Sequence, residues 1–567
     1  MVYVSEMLTA LAIIFIVAGP FLLVANRYDL VAPPLLILAG IVAGEFIDEG
    51  LAIELAQFGI ALLAFSFGVG IQLSALSSVL QDSELAALGQ IFVVGSLGFG
   101  FGLLIGLPAG EAVYVGVAVA LSSTMVGTAL LQTEIRRDLV HGRLGDSIQF
   151  VQDLVAIVFL LVAGAGVLAA DPIAMQVGYG AFFLVAAVLV SRYVFPQLTR
   201  LAGGSDELMI VGVISLVVVF IAASELAGVS IVVGAFAAGL AIRYEPSQYL
   251  GLYNGLESVK DFFVAIFFVT VGALVVLPFV HAGLEESIAK LVLAAGIILL
   301  TAIVKPVVTT AVLIYRGYGA RTATLTGLST DQVSEFALII AIQALLLGLL
   351  TQSVFDAIIL AAAVTMVTST ITQRYNEELY RALRDRGLVS SRHGKVDELS
   401  DVPDDLTDHV VILGYGRKGR RLVDTCEAAD HPYVVIENDP SEWDEVRVSC
   451  DAYVFGDAME SYTWEKANAA EARVIVSTTA SRPVSRRLVD LEFESTLILR
   501  AEAEDDAIAL LEEGASYVSV PTLLAGEQLS KYVQELLDGE LTPAELRSKG
   551  MVSLERNREL HDTVFRP

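Results

Sequence analysis

Three ionisable side chains stand inside runs of apolar residues. Asp153 follows Gln152 in Ser147-Ile-Gln-Phe-Val-Gln-Asp-Leu-Val-Ala-Ile-Val. Lys305 lies between Gly296 and Leu313, among Ile, Val and Leu, and is followed by Pro306. Glu335 sits in Thr330-Asp-Gln-Val-Ser-Glu-Phe-Ala-Leu-Ile-Ile, close to Asp331. A charge at the centre of a bilayer costs about 2.5–3.5 kcal/mol or more, so each needs a partner or a task. A carboxylate away from water can hold a proton or a bare monovalent cation, but not both. That competition at one site is the least machinery a cation–proton exchanger needs. A buried lysine can serve as a second proton carrier or a counter-charge. The plainer readings are a helix-end carboxylate or Lys305 neutraliser for Asp153, snorkelling for Lys305, and a place near the loop for Glu335.

Such residues must be held by membrane-spanning elements, and the composition supplies them. Of 567 residues, 55% are hydrophobic and 17% charged, too apolar for a water-soluble chain of this size. A helical span needs about 20 apolar residues, and about thirteen such segments lie between residues 7 and 373. Two of them contain mid-span Ser, Thr and Gly: Ala120-Leu-Ser-Ser-Thr-Met-Val-Gly-Thr-Ala and Thr324-Leu-Thr-Gly-Leu-Ser-Thr-Asp-Gln-Val-Ser. Hydroxyls there can satisfy backbone groups that a broken helix exposes. Two broken elements in corresponding places of two halves point to an inverted-repeat transporter with a midplane site; the alternative is ordinary small-residue packing.

Loop charges set the orientation. Arg27, Arg136, Arg137, Arg143, Arg192, Arg200, Arg243, Lys260, Arg316, Arg321 and Arg374 all fall on one side if the spans are as counted. The positive-inside rule then places the N-terminus outside and the long C-terminal segment in the cytoplasm.

The net charge of −29 reads as a solvated acidic surface and argues against a nucleic-acid partner. Two cysteines, Cys426 and Cys450, make no disulfide framework. From residue 376 to 408 the chain is charged and irregular, with Gly394 and Pro403 as breakers, and reads as a linker. Next comes His409-Val-Val-Ile-Leu-Gly414-Tyr-Gly416-Arg-Lys-Gly419, a strand, glycine turn and helix, followed by a second strand ending in Glu437. This G-x-G-x-x-G context is that of a dinucleotide-binding unit. The glycines let the backbone approach a phosphate at the helix N-terminus, and Glu437 would accept from ribose hydroxyls. The Arg417, Lys418, Arg420 and Arg421 cluster has a second reading as a docking patch for acidic partners. The only histidines in this unit are His409 and His431, so a sensor is expected rather than a dehydrogenase.

With these residues in view, the membrane half resembles the Kef-type members of the second monovalent cation/proton antiporter family. The resemblance is carried by Leu121-Ser-Ser-Thr124, Gly142 to Asp153, Glu225-Leu-Ala-Gly-Val-Ser, Gly234 to Leu240, Phe267 to Gly272 and Ser334-Glu335-Phe336-Ala. It departs at Val333-Ser334, where the family usually has Gly-Gly. The resemblance implies that Asp153 binds cation and proton alternately with Gln152 as a coordinating neighbour. It also implies that Ser122, Ser123 and Thr124 form the first broken helix, and that Lys305 is the charge-compensating group. Residues 409–525 resemble the RCK/KTN (TrkA-N) regulatory domain. That resemblance implies NAD(H) or AMP as regulatory ligand and a homodimer, with Gly414, Gly416, Arg417, Gly419, Glu437 and Asp457 at the nucleotide.

The expected organisation is therefore a helical antiporter domain over 1–375, a linker over 376–408, a Rossmann-like domain over 409–525 and a tail over 526–567. The expected activity is potassium–proton exchange in the plasma membrane, with sodium–proton exchange as the variant. The rival class is a nucleotide-gated potassium channel, but Gly317-Tyr318-Gly319 lacks the preceding Thr-Val of a filter and lies in an Arg-flanked loop. A membrane-bound oxidoreductase is a weaker third.

Overall fold

A computed structural model describes residues 2–70, 84–137, 139–163, 170–203, 205–242, 250–389, 396, 398–403 and 406–552. Arg243, Gly394, Asp404 and Asp405 lie outside the described residues. The chain divides into two units, the first built of residues 1–133, 141–316 and 322–386 and the second of 134–140, 317–321 and 387–567.

Among the described residues of the first unit, nine helices are long and apolar enough to cross a membrane, from Glu6–Tyr28 to Gln352–Arg374. The shorter helices Ala32–Ala43, Ile231–Leu240 and Glu335–Leu346 join them, as does Leu250–Ala273. Over the described residues, every apolar segment expected from sequence coincides with one or two of these helices, while 71–74, 164–169 and 243 lie outside them.

Their order repeats. Helices Glu84–Leu104, Ala109–Arg136 and Val140–Ala163 are matched by Leu284–Arg316, the pair Ala320–Leu328 and Glu335–Leu346, and Gln352–Arg374. In each triplet the first helix holds a π-helical turn, Gln90–Val94 or Leu300–Val304, and the second helix is broken.

The helices preceding each triplet cross reciprocally through glycines. Ala32–Ala43 meets Leu250–Ala273 where a Cβ on Gly40 would lie 2.1 Å from the Val269 carbonyl oxygen. Glu49–Gly70 meets Ile231–Leu240 where a Cβ on Gly68 would lie 2.4 Å from that of Phe236. Lipid offers no hydrophobic drive between helices, so this close backbone approach carries the packing.

The second unit is a six-stranded parallel sheet: β1 (His409–Leu413), β2 (Tyr433–Glu437), β3 (Tyr453–Phe455), β4 (Ala472–Ser477), β5 (Thr496–Arg500) and β6 (Tyr517–Ser519), in the order β3-β2-β1-β4-β5-β6. That is the doubly wound dinucleotide order, with its switch point between β1 and β4. Two stretches are more regular than their composition suggests. The segment read as irregular linker begins with helix Asn376–Asp385, where Glu377 and Glu378 favour the N-terminal turn and Arg384 the last. Its Asp401 also forms an antiparallel bridge with Tyr453 of β3. Helix Pro521–Leu537 runs across the boundary expected at 525.

The Gly68 crossing leaves no room for a side chain. Gly68→Val should cost about 1–3 kcal/mol or more by overpacking. The expected result is loss of the monodisperse peak in detergent gel filtration, while Gly70→Ala, which meets nothing within 4 Å among the described residues, keeps it.

Candidate functional site

Both broken helices part at hydroxyl-rich sequence. Ala109–Ala120 ends at Leu121, which is extended, and Thr124–Arg136 begins after it. Ala320–Leu328 stops before an irregular stretch, and Glu335–Leu346 resumes after extended Ser334. Serines cap the new starts: the Ser123 hydroxyl accepts from the Val126 N–H at 3.1 Å, and Ser334 from the Phe336 N–H at 2.9 Å.

The two unwound stretches are bound to each other. The Ser122 hydroxyl donates to the Thr330 carbonyl at 3.1 Å, and Gln332 Nε2 to the Ser123 carbonyl at 3.2 Å. Lys305, fully buried, donates from Nζ to the carbonyls of Leu121 at 2.9 Å and Gln332 at 2.8 Å. It follows directly on the π-helical turn Leu300–Val304. Its ammonium is thus turned to backbone oxygens, one from each break, and not to Asp153.

Gln152 braces the first break. Its Oε1 accepts the Ser122 N–H at 2.8 Å, and its Nε2 donates to the Ala120 carbonyl at 3.3 Å and to Gln90 Oε1. Gln90 in turn donates to the hydroxyls of Thr330, at 3.0 Å, and Thr309. The amide of Gln152 is therefore engaged with protein at both ends.

Asp153 is 1% exposed; one oxygen accepts the Thr124 hydroxyl, and Oδ1 has no partner among the described residues. Glu335 opens the second half-helix and accepts the Met125 N–H of the first at 3.0 Å, while its Oε2 is buried without a partner. The two acids thus meet at half-helix N-termini, whose amides carry partial positive charge. Each keeps one bare oxygen, and in hydrocarbon such an oxygen calls for a proton or a cation.

The structure thus gathers Ser122, Ser123, Thr124, Gln152, Asp153, Lys305 and Glu335 at one crossing. Sequence reasoning missed Gln90, a lone polar residue in an apolar run, and Gln332. It also missed the buried pair Lys290–Asp356, 2.7 Å apart, which clamps the backbone of Val276.

Residues 11–374 match the family described as sodium/hydrogen exchanger, transmembrane. The chain belongs to that family. Residues 410–521 match the TrkA-N domain, so the membrane exchanger region is followed by a domain of that family. KefB of Alkalimonas amylolytica, named as a K(+) efflux antiporter, is 28% identical over 88% of this chain and 76% of its own length. YbaL of Escherichia coli (strain K12), named as a cation/proton antiporter, is 27% identical over 88% of this chain and 92% of its own. The fold is shared with the sodium proton antiporter MjNhaP1 of Methanocaldococcus jannaschii at a TM-score of 0.52 and 14% identity, covering 66% of this chain and 98% of that one.

In the second unit the glycine turn follows β1. Gly414 has φ +91°, and a Cβ on Gly419 would lie 2.0 Å from the Gly414 carbonyl oxygen, so both positions admit only glycine. Gly416 caps helix Arg417–Ala428. Glu437 ends β2, and Asp457, just beyond β3, accepts the Met459 N–H at 2.9 Å. These residues line the carboxyl ends of β1–β3. Of the basic cluster, Arg420 is held by Glu442 at 2.7 Å and Glu445 at 2.6 Å and lies over the Tyr415 ring, so it is not open for docking.

Glu437 also anchors the turn. It accepts N–H groups from Tyr415 at 2.6 Å, Asn438 at 2.8 Å and Asp439 at 2.9 Å. Burial outweighs these donors and pushes its carboxyl from an ordinary 4.5 up to about 7. Folding thus favours the protonated form: the contribution is fully present below about pH 4.5 and is lost as pH rises to about 7. Both tryptophans, Trp443 and Trp464, lie in this unit, so their fluorescence reports its melting alone. Between pH 5 and 7.5 the wild-type transition should fall by about 5 °C or more. Glu437→Gln, lacking one acceptor oxygen, should melt lower throughout with a flat pH profile.

Proposed function

We propose that the chain exchanges a monovalent cation, potassium in the first place, for protons at Asp153. The observation that supports it best is the buried, unpartnered Asp153 oxygen facing the convergent half-helix N-termini. Proton and cation compete for that oxygen. Thr124 orients the carboxylate, and Glu335 adds a second acid whose charge repels Asp153, raising the gain from binding a cation there. Lys305 offsets part of this negative charge and keeps both breaks closed over the site. Potassium is favoured over sodium by the names of the relatives, KefB foremost.

The protein works as a homodimer in the plasma membrane, with the N-terminus outside and the sheet domain in the cytoplasm, the orientation that its arginine-rich loops favour. NAD(H) or AMP binds at Gly414, Gly416, Arg417, Gly419, Glu437 and Asp457 and biases the rate of exchange. The glycine cradle at Gly414 and Gly419 fits a diphosphate, and Glu437 has lone-pair capacity for a ribose hydroxyl.

The test is purified full-length protein in liposomes with an acid interior. Addition of potassium or sodium should dissipate the pH gradient, and Asp153→Asn should reduce the signal to that of empty liposomes. Cation flux without proton counterflow that survives Asp153→Asn would instead describe a channel.

A further inference from the structure

Helix Val140–Ala163 carries more oxygen toward its N-terminal end than exchange at Asp153 uses. Asp146, Gln149 and Asp153 are spaced i, i+3 and i+7 and therefore share one face. At 1.5 Å rise per residue, Asp146 lies about 10 Å from Asp153 along the axis. The half-helix Thr124–Arg136 runs antiparallel against this face, and the pairing is regular. Thr124 bonds Asp153; Gly127 lies under the Gln149 amide, where a Cβ would come within 2.2 Å of Oε1; the Thr128 hydroxyl donates to Asp146 Oδ1 at 2.9 Å.

Gln149 is fully buried. Its Nε2 donates to the Ser329 carbonyl at 3.1 Å, which fixes the orientation of the amide, and Oε1 has no partner among the described residues. A buried acceptor with no donor costs about 1–3 kcal/mol, a cost that a bound cation would relieve. Glycine at 127 is what makes room for that amide. Asp146 below it is half-buried, less enclosed than Gln149 and Asp153.

We propose that Asp146, Gln149 and Thr128 form a second station for a monovalent cation, about two helical turns from Asp153. The inference rests on the reading of Asp153 as the exchange carboxylate. One carboxylate with a hydroxyl and an amide oxygen is a hard donor set carrying a single negative charge, matched to a singly charged ion that has shed part of its water. The station collects the cation at the half-open end of the face and passes it to Asp153.

Asp146→Asn is isosteric and retains the acceptor for Thr128, so a merely structural role predicts no change in exchange. In the liposome assay, with potassium or sodium chloride replacing choline chloride at constant ionic strength, the variant should raise the half-saturating cation concentration about fivefold. Half-saturation equal to wild type overturns the station. A second readout does not depend on exchange: potassium-dependent thermal stabilisation of the full-length Asp153→Asn protein should persist and vanish when Asp146→Asn is added. Stabilisation that is absent from the first, or unchanged in the pair, likewise overturns it. If the wild type shows no exchange at all, the reading of Asp153 fails, and this second readout decides the station by itself.

Discussion

A single ammonium group holds the membrane site in its shape. Breaking two helices inside a bilayer exposes carbonyls that have no water to turn to, and each costs several kcal/mol if left bare. Lys305 answers one from each break, Leu121 and Gln332, with charge-assisted bonds of 2.9 and 2.8 Å. Because the same nitrogen serves both, neither stretch can wind back into helix without abandoning the other. The half-helix starts at Thr124 and Glu335 follow from that, and with them the two N-termini that face the acids.

The remaining polar groups divide sharply into those that are spent and those that are not. Gln152, Gln90 and Gln332 give their amides to backbone and hydroxyl groups around the breaks. Ser122 and Ser123 do likewise. Asp153 and Glu335 each hold one oxygen in a protein bond and keep one bare. The bonded amides and serines hold the breaks open around these oxygens, so neither acid has a side-chain donor of that group turned to its bare oxygen. Adjacent residues take opposite parts because a helix turns by about 100° per residue. Gln152 faces the break, and Asp153 faces the half-helix beyond it.

Much of this was legible in the sequence, and what was not has identifiable physical causes. Apolar length revealed the spans, because hydrocarbon thickness imposes it. Clustered Ser, Thr and Gly around 120–128 and 324–334 marked the breaks, because unwound backbone needs small hydroxylated neighbours. The glycine spacing at 414–419 marked the turn after β1. The partners of Lys305 were illegible because they are carbonyls, which every residue carries and no letter distinguishes. The π-helical turns escaped because one extra residue in a wholly apolar helix leaves no mark on its pattern. Gln90 and Asp356 find their partners only once distant spans are packed together.

The soluble unit shows the same logic in water. Glu437 was expected to wait for a ribose, yet it receives three backbone N–H groups and fixes the end of the glycine turn. A carboxylate can do both because its two oxygens offer about four acceptor sites. Its burial makes the arrangement sensitive to protons near neutrality, since the folded turn carries a carboxyl raised to about 7. Asp153 is likewise half-bonded to the frame that positions it. In both units the frame fixes an acid by part of its bonding capacity, through the Thr124 hydroxyl at Asp153 and through three backbone N–H groups at Glu437.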